Sequence, residues 1–397
     1  MSRRLGSHVG PRLADERGAA LIITLFIVAL VAILVLEYHF DATIEVELAD
    51  NYASEVQAHS LAMTGVNLAR VLLQRDDPAY DAPTELWAIL TMLTSTLCMS
   101  PQQLLDMARE QTPLQGSETD NTLGSRADRP PLQGSETGNT LGSRADRPPL
   151  ETAESLQGCL RLNISDESRK LPINALVNRT TDAIDEDWRQ VFENFLVNFE
   201  INTDAVNALI DWIDLSPGHL EGGAEDDYYA GLEHPYTTPD RPMQVPGELR
   251  LVRHFNCETL VKLFPGRECK DMADIDLGNN PYLTPYSEEG AGAGKVNLNT
   301  ASEEVLKALT EDAACVEEIL EKRLSVQGQL LSEPIRDIQQ LSTCTSPNFA
   351  KVAGVSSAYF RVESQGEVHG RIRKKVVAVL KRSGPQAPLK VVYFKVE

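Results

Sequence analysis

The sequence predicts an α+β protein with a long N-terminal helix, a block of short helical units and a small antiparallel sheet at the C-terminal end. Three observations support this prediction. Residues 19–36 contain no charged side chain, and an amphipathic pattern continues from them to residue 75. Apolar residues then recur at helical spacing in two later groups. The final stretch, residues 356–397, alternates between apolar and polar residues as strands do.

The uncharged run from Ala19 to Leu36 would nearly span a hydrocarbon core of about 30 Å, since a helix rises about 1.5 Å per residue. The leader before it carries a net charge of +2, from four arginines and two acids. By the positive-inside rule, this charge keeps the N-terminus in the cytoplasm. Charged and bulky residues follow the run, where a secretory signal would have small residues for cleavage. The run is therefore predicted to be a membrane anchor. The one small residue that marks a boundary of the run is Gly18, directly before it.

A leader that ends in glycine, followed by an apolar helix that continues as an amphipathic one, resembles the type IV prepilins and the type II secretion pseudopilins. The resemblance implies cleavage by a prepilin peptidase between Gly18 and Ala19, with methylation of the new terminus. Most members have glutamate at the fifth mature position, where this chain has Ile23. That departure is typical of the large minor subunit, type II secretion protein K. The assembly helix is expected to include Ile22, Ile23 and Phe26.

The same resemblance implies a pilin-like fold, in which a large all-α domain is inserted between the long helix and the last strands. The first helix should end at Asp76-Asp77-Pro78, because proline cannot continue the hydrogen-bond ladder. The expected domains are the prepilin leader (1–18), the transmembrane and amphipathic pilin helix (19–75), a pilin-like region (76–162), the inserted α-helical domain (163–355) and the C-terminal strands of the pilin-like domain (356–397).

A tandem duplication occupies residues 113–148 of the pilin-like region. PLQGSETDNTLGSRADRP is followed at once by PLQGSETGNTLGSRADRP, and the two copies differ only at Asp120 and Gly138. Neither copy has enough large apolar side chains to offset the entropy lost on ordering. The duplication is therefore predicted to be an exposed, flexible loop.

The inserted domain is expected to contain two groups of short helices. The first comprises LPINALVN, EDWRQVFENFLVNFEI and TDAVNALIDWID, and the second begins at KVNLNTASEEVLKAL and continues through VEEILEKRL and EPIRDIQQL. Thr300 and Glu303 have capping-box spacing, and Trp188 and Trp212 are expected in the core. After these groups, AYFRVESQGEV and RIRKKVVAVLKR should form a hairpin around His369-Gly370, with LKVVYFKVE as a third strand.

One acidic stretch is a candidate metal site, DWIDLSPGHLEGGAEDDYY at residues 211–229. Ca²⁺ takes about six to eight oxygen ligands from carboxylates and carbonyls, and such a loop offers them without EF-hand spacing. A solvated acidic loop is the alternative. Crowded like charges favour a bound cation, and members of the protein K family carry a similar calcium-associated stretch. The expected ligands are Asp211, Asp214, Glu225 and Asp226, followed by Glu221 and Asp227.

All six cysteines follow the anchor, on the side of the membrane that oxidises thiols. None forms a C-x-x-C motif, so zinc binding and thioredoxin-like chemistry have little support. The sequence cannot select among the possible pairings, and buried free thiols remain an alternative. The first expectation is a disulfide between Cys257 and Cys269, and the second is one between Cys315 and Cys344.

The net charge of −21 disfavours nucleic acids and anionic membrane surfaces as partners. TEDAACVEEI occupies the place where a DNA-binding hairpin would need glycine, and its acids would repel phosphates. H-E-x-x-H and G-x-S-x-G are absent from the sequence, and GAGAGKV lacks the residues of a phosphate-binding loop. The chain is therefore expected to be neither an enzyme nor a nucleic-acid-binding protein.

Two functions remain from the sequence. In the first, the chain is a minor pseudopilin at the tip of the type II secretion pseudopilus, where it helps to initiate assembly and supports export across the outer membrane. The resemblance implies a single-pass inner-membrane protein with a periplasmic C-terminal domain, whose partners are minor pseudopilins of the I and J classes and the prepilin peptidase. In the second, the chain is a membrane-anchored periplasmic protein with calcium-dependent binding, unrelated to a fibre. Retention of the leader would favour the second function.

Overall fold

The computed structural model describes residues 16–110, 158–271, 275–288, 294–323, 333–384 and 387–397. The duplicated loop at 113–148 and residues 1–15 of the expected leader lie outside these ranges. The chain divides into two units, residues 1–57 and residues 58–397. Helix α1, Glu16–Arg75, contributes to both units and ends directly before the predicted stop at Asp76-Asp77-Pro78.

Short elements make up the rest of the described chain. The remaining helices are α2 Leu86–Thr94, α3 Pro101–Glu110, α4 Glu186–Asn198, α5 Asp204–Ile213, α6 Asp226–Ala230, α7 Cys257–Lys262, α8 Glu303–Leu309, α9 Ala313–Arg323 and α10 Phe349–Val352. The strands are β1 Cys159–Asp166, β2 Leu171–Pro172, β3 Val177–Asn178, β4 Ala183–Ile184, β5 Leu283–Thr284, β6 Val296–Asn297, β7 Ala353–Gly354, β8 Tyr359–Val368, β9 Ile372–Lys381 and β10 Lys390–Val396.

Four antiparallel strands form the main sheet, in the order β1-β8-β9-β10. His369 and Gly370 connect β8 to β9 with positive φ angles of 53° and 68°, the backbone that a tight hairpin turn requires. The predicted hairpin and third strand are therefore confirmed, as is the α+β class. The sequence analysis missed β1, which pairs with β8 along its whole length.

The C-terminal part of α1 and one face of this sheet share a core. Ala62, Val66 and Ala69 of the helix are buried in the same cluster as Leu160 of β1 and Ala378 of β9. The helix lies very close to the sheet at Gly366, where an added Cβ would come within 2.0 Å of the carbonyl oxygen of Ala58. Only glycine fits there without a shift of the backbone.

The helical region between β1 and β8 has its own core, in which Trp188 and Trp212 are buried as expected. It also contains three two-stranded ladders, β2-β5, β3-β4 and β6-β7. The prediction of a helix at LPINALVN was wrong, because this stretch forms β2, a 3₁₀ turn and β3. EPIRDIQQL forms only a 3₁₀ turn. Ser302, rather than Thr300, caps α8 by accepting a hydrogen bond from the amide of Val305.

Candidate functional site

The apolar part of α1 is long and apolar enough to cross a membrane, and it is the one helix of this kind among the described residues. Gly18 and Ala19 lie in its first turns, since the helix begins at Glu16. The side chains of Ile22, Ile23 and Phe26 are exposed. The three residues named for the expected assembly helix therefore lie at exposed positions of α1.

The acidic loop joins α5 to α6 and buries three of its carboxylates. Asp211 on the last turn of α5 is fully buried, and both of its oxygens accept the amide of Leu220 at 3.1 and 3.2 Å. Asp214 follows the end of α5, and Glu225 precedes α6. Both are 6% exposed. The fold thus brings three of the four favoured residues into one buried region.

Two oxygens in this region have no hydrogen-bond partner. They are Oδ1 of Asp214 and Oε1 of Glu225, and both are buried. The other oxygen of Glu225 accepts the hydroxyl of Thr238 at 3.2 Å. Among the described residues, no lysine or arginine forms an ion pair with Asp211, Asp214 or Glu225. An unpaired buried carboxylate is costly in its charged form.

The pKa values of these carboxyls reflect their burial. Burial, followed by repulsion from Asp211 and Asp182, raises the pKa of Asp214 to about 6. Burial raises the pKa of Glu225 to about 7, opposed by the hydrogen bond from Thr238 and reinforced by the nearby aspartates. Burial also raises the pKa of Asp211. A cation held among these groups would return them to the ionised state.

The other expected ligands lie at the surface. Glu221, Asp226 and Asp227 are exposed. Asp226 still belongs to the neighbourhood, because its Oδ1 accepts both the amide and the hydroxyl of Thr238 at 2.8 and 2.9 Å. Asp227 accepts only the amide of Tyr228.

Sequence reasoning missed three contributors to the loop. Asp182 and Asp240 lie close enough to repel Asp214, yet they are distant from it in sequence. Thr238 contacts both Glu225 and Asp226. Asp182 and Asp240 both adopt positive φ, a backbone conformation that the structure shows and the sequence does not.

The described cysteines form three disulfides. Cys257 joins Cys269, and Cys315 joins Cys344, the two pairs expected from the sequence. The third joins Cys98 to Cys159, at the start of β1. The segment between Cys98 and Cys159 includes the duplicated loop.

A second acidic group, which we call the junction cluster, comprises the buried Asp81 and the half-buried Asp76 and Glu85. Each places a carboxylate oxygen within 4.8 Å of the others. Arg382 at the end of β9 pairs with Asp76 at 3.2 Å and with Asp81 at 3.0 Å. The sequence analysis did not anticipate this group, because it depends on a pairing across some three hundred residues.

Polar side chains of the helical region complete the junction cluster. Asp81 Oδ2 accepts the amide of Ser357 at 2.6 Å. The side-chain amide of Asn297 donates to the carbonyl of Asp81 and to Asp166 at the end of β1. The cluster therefore ties together the segment after α1, the sheet and the helical region of the second unit.

Part of the chain is similar to known proteins. The family described as type II secretion system (T2SS), protein K, matches residues 169–266. Type II secretion system protein K of Pectobacterium carotovorum subsp. carotovorum is 33% identical over 126 residues, which are 31% of this chain and 38% of the relative. The chain thus spans well under half of that relative's length in the alignment.

A solved structure also resembles the chain: the GspK-GspI-GspJ complex from the enterotoxigenic Escherichia coli type 2 secretion system. The match has a TM-score of 0.48 and 16% identity, and it covers 90% of this chain and 99% of the other. The family match includes α4, α5, the acidic loop and α6. Residues 169–266 are therefore similar to the type II secretion system protein K family.

Proposed function

We propose that the chain is a minor pseudopilin of a type II secretion system, positioned at the tip of the pseudopilus. The observation that carries the proposal is the protein K domain at residues 169–266, joined to a long apolar N-terminal helix and a four-stranded sheet. In this role the chain would help to initiate assembly and support export across the outer membrane. Its work is done by binding neighbouring subunits, so it needs no catalytic site.

The proposal includes the topology and the partners. The apolar part of α1 anchors the chain once in the inner membrane, and the C-terminal unit lies in the periplasm, where three disulfides are stable. The neighbours are minor pseudopilins of the I and J classes, the classes named with K in the solved complex described above. A prepilin peptidase removes the leader after Gly18 and methylates Ala19.

The N-terminus of the mature protein tests this function. Intact mass and N-terminal sequencing should be measured on protein extracted from membranes of cells with and without an active prepilin peptidase. We expect a methylated terminus at Ala19 only when the peptidase is active. Gly18→Glu should block the cut, whereas Gly10→Glu, in the same leader, should leave it unchanged. An uncut terminus in every case would refute the pseudopilin function and favour an anchored calcium-dependent binding protein.

We also propose that the acidic loop binds Ca²⁺. The unpartnered Asp214 Oδ1 and Glu225 Oε1 support this, because hard carboxylate oxygens are the ligands that Ca²⁺ prefers. Asp211, Asp214 and Glu225 would hold the ion, and the exposed Asp226, Glu221 and Asp227 stand as further ligands. The bound ion would join the end of α5 to the start of α6 and neutralise the repulsion within the loop.

Calcium titration of the purified chain tests this site. Ca²⁺ at about one hundred times its dissociation constant should stabilise the protein by about 2.7 kcal/mol. The double variant Asp214→Asn with Glu225→Gln should lose this response, and Mg²⁺ should not reproduce it. Glu233→Gln with Glu258→Gln removes the same number of charges from exposed positions outside the ligand set and should retain the response. Equal responses in the two double variants would mean that Ca²⁺ acts elsewhere.

A further inference from the structure

Strand β10 forms one edge of the main sheet and exposes an unusual surface. Within the described residues it pairs only with β9, so its outer side faces no other strand. Exposed edges are templates for pairing with another chain, and soluble proteins normally protect them. The features of this edge indicate what kind of chain it accepts.

The unpaired backbone groups of the edge belong to Phe394 and Val396. Lys375 of β9 and Glu397 exchange both of their backbone hydrogen bonds, at 3.0 and 2.8 Å. Hydrogen-bonded and non-hydrogen-bonded pairs alternate along an antiparallel ladder. Val396, opposite Val376, and Phe394, opposite Ala378, are therefore non-hydrogen-bonded pairs. Their N–H and C=O groups point away from β9.

The side chains of β10 extend the core face of the sheet without being covered. Val391, Phe394 and Val396 lie opposite Leu380, Ala378 and Val376, which are buried in the core shared with α1. Residues opposite one another in a ladder point to the same face. The three β10 side chains are nevertheless 41%, 47% and 45% exposed. An added strand would cover them.

The charge of this region is opposite to that of the rest of the chain. Residues 371–397 contain eight lysines and arginines and one acid, a net charge of +7. The rest of the chain therefore carries −28, since the total is −21. Lys390 and Lys395 lie near the two ends of β10, and Nζ of Lys395 is 2.8 Å from a carboxylate oxygen of Glu397. Pairing with a second copy of this edge would bring like charges together, whereas an acidic strand would meet complementary ones.

We propose that β10 accepts an extended segment of a partner protein, with alternating apolar and acidic residues, as a fifth strand of the sheet. The backbone of Phe394 and Val396 supplies the hydrogen bonds, the apolar side chains are buried, and Lys390 and Lys395 select for acidic residues. The partner's identity as a neighbouring pseudopilin rests on the proposed function. The strand-binding property of β10 does not depend on it.

Two fluorescent probe peptides test the surface directly, TEVEVET and TKVKVKT, titrated against the full chain in lipid nanodiscs by anisotropy. The acidic peptide should bind although the whole protein is acidic, and the basic peptide should bind at least about tenfold more weakly. Phe394→Ser should also weaken the binding of the acidic peptide by about tenfold. Val197→Ser, at an exposed apolar position on α4, is the matched control and should leave binding unchanged.

Two further variants separate the contributions of backbone and charge. Val396→Pro removes an N–H that faces outward, so it should preserve the sheet and weaken the binding of the acidic peptide. Lys390→Glu with Lys395→Glu should reverse the preference toward the basic peptide. Sedimentation will show whether a second copy occupies the edge instead.

The proposal is overturned if the acidic peptide fails to bind, if it binds Phe394→Ser and Val396→Pro as well as the wild type, or if the chain pairs with itself through β10. None of these results bears on cleavage at Gly18. The strand proposal and the pseudopilin function therefore fail separately.

Discussion

The second unit contains two groups of buried carboxylates, and they differ in how their charge is balanced. In the junction cluster, Arg382 reaches both Asp76 and Asp81, and backbone and side-chain donors satisfy much of the remainder. In the acidic loop, Asp214 and Glu225 each retain a buried oxygen without a hydrogen-bond partner. Asp81 Oδ1 of the junction cluster also lacks a hydrogen bond, but it lies 3.0 Å from the guanidinium of Arg382. The described residues offer the loop no comparable ion pair.

This difference separates a group that has its own cation from the loop that is proposed to bind one. Buried charges are costly unless they are paired and hydrogen-bonded. The junction cluster has a cation of this chain, Arg382, beside it. Among the described residues only the junction acids lie within 4.8 Å of one another, so the loop carboxylates are less tightly grouped than a preformed ion site would be. If the loop binds Ca²⁺ as proposed, its cation comes from solution, whereas that of the junction cluster does not.

Removal of Arg382 should have the largest effect. Arg382→Met leaves Asp76 and Asp81 without their cation, and losing one partner of a buried ion pair costs about 3–5 kcal/mol. The free energy of unfolding should be measured by urea titration with tryptophan fluorescence at about pH 9, above the pKa of about 8 of Asp81, so that its carboxylate is ionised. Arg371→Met, at an exposed position, should change it by less than about 0.5 kcal/mol. An equally small effect for Arg382→Met would show that the junction carboxyls are held mainly in the neutral form.

Two glycines of the acidic loop provide a matched test of the second region. At Gly223, an added Cβ would lie 1.9 Å from Oδ2 of Asp211, whereas at Gly218 nothing lies within 4 Å. Gly223→Ala should therefore displace Asp211, destabilise the chain by about 1–3 kcal/mol and weaken Ca²⁺ binding by tenfold or more. Gly218→Ala should do neither. Calorimetric titration with Ca²⁺ and urea unfolding measure the two effects, and equal behaviour of the variants would exclude Asp211 from the site.

The junction cluster should make stability depend on pH. Burial raises the pKa of Asp81 to about 8 from 3.8, against the opposing effect of Arg382. Burial and the charge of Asp76 raise the pKa of Glu85 to about 7 from 4.5. The folded state then binds more protons than the unfolded state, so stability falls as the pH rises between about 4 and 8.

The expected slope is about 1.4 kcal/mol per pH unit for each extra proton bound by the folded state. Urea unfolding at a series of pH values, in saturating Ca²⁺ to keep the loop constant, measures it. Asp81→Asn removes one titrating group and should flatten the curve above pH 6. Glu186→Gln, on the exposed start of α4, should leave the slope unchanged. A stability that rises over this range would mean that the ion pairs with Arg382 dominate the burial of Asp81.

The sequence predicted those features that depend on local pattern. The long helix, its stop at Asp76-Asp77-Pro78 and the hairpin at His369-Gly370 all follow from residues that are neighbours in the chain. The cysteine pairs at short separation were chosen on the same basis. Strand β1 was missed because it follows the duplicated loop closely in the sequence and because its pairing with β8 spans about two hundred residues.

The candidate site was predictable only in part, for the same reason. Asp211, Asp214 and Glu225 could be named because they share one acidic stretch, but their burial could not be read from it. Asp226 and Asp227 look equivalent in the sequence, yet only Asp226 meets Thr238. The +7 charge of the last residues was readable from composition, but its position on a free sheet edge required the strand register.

The smallest predicted effect concerns the position of Glu225 within the loop. The hydroxyl of Thr238 donates to Glu225 Oε2 or to Asp226 Oδ1, which lie 3.2 and 2.9 Å away, and this leaves Glu225 Oε1 available. Thr238→Val should cost about 1 kcal/mol, the typical value of one hydrogen bond, and weaken Ca²⁺ binding severalfold. Thr237→Val, at the exposed neighbouring position, is the control for the added methyl group. If calorimetry gives the two variants the same affinity for Ca²⁺, Thr238 does not position Glu225, and the contrast between the two acidic groups must rest on Asp211 and Asp214 alone.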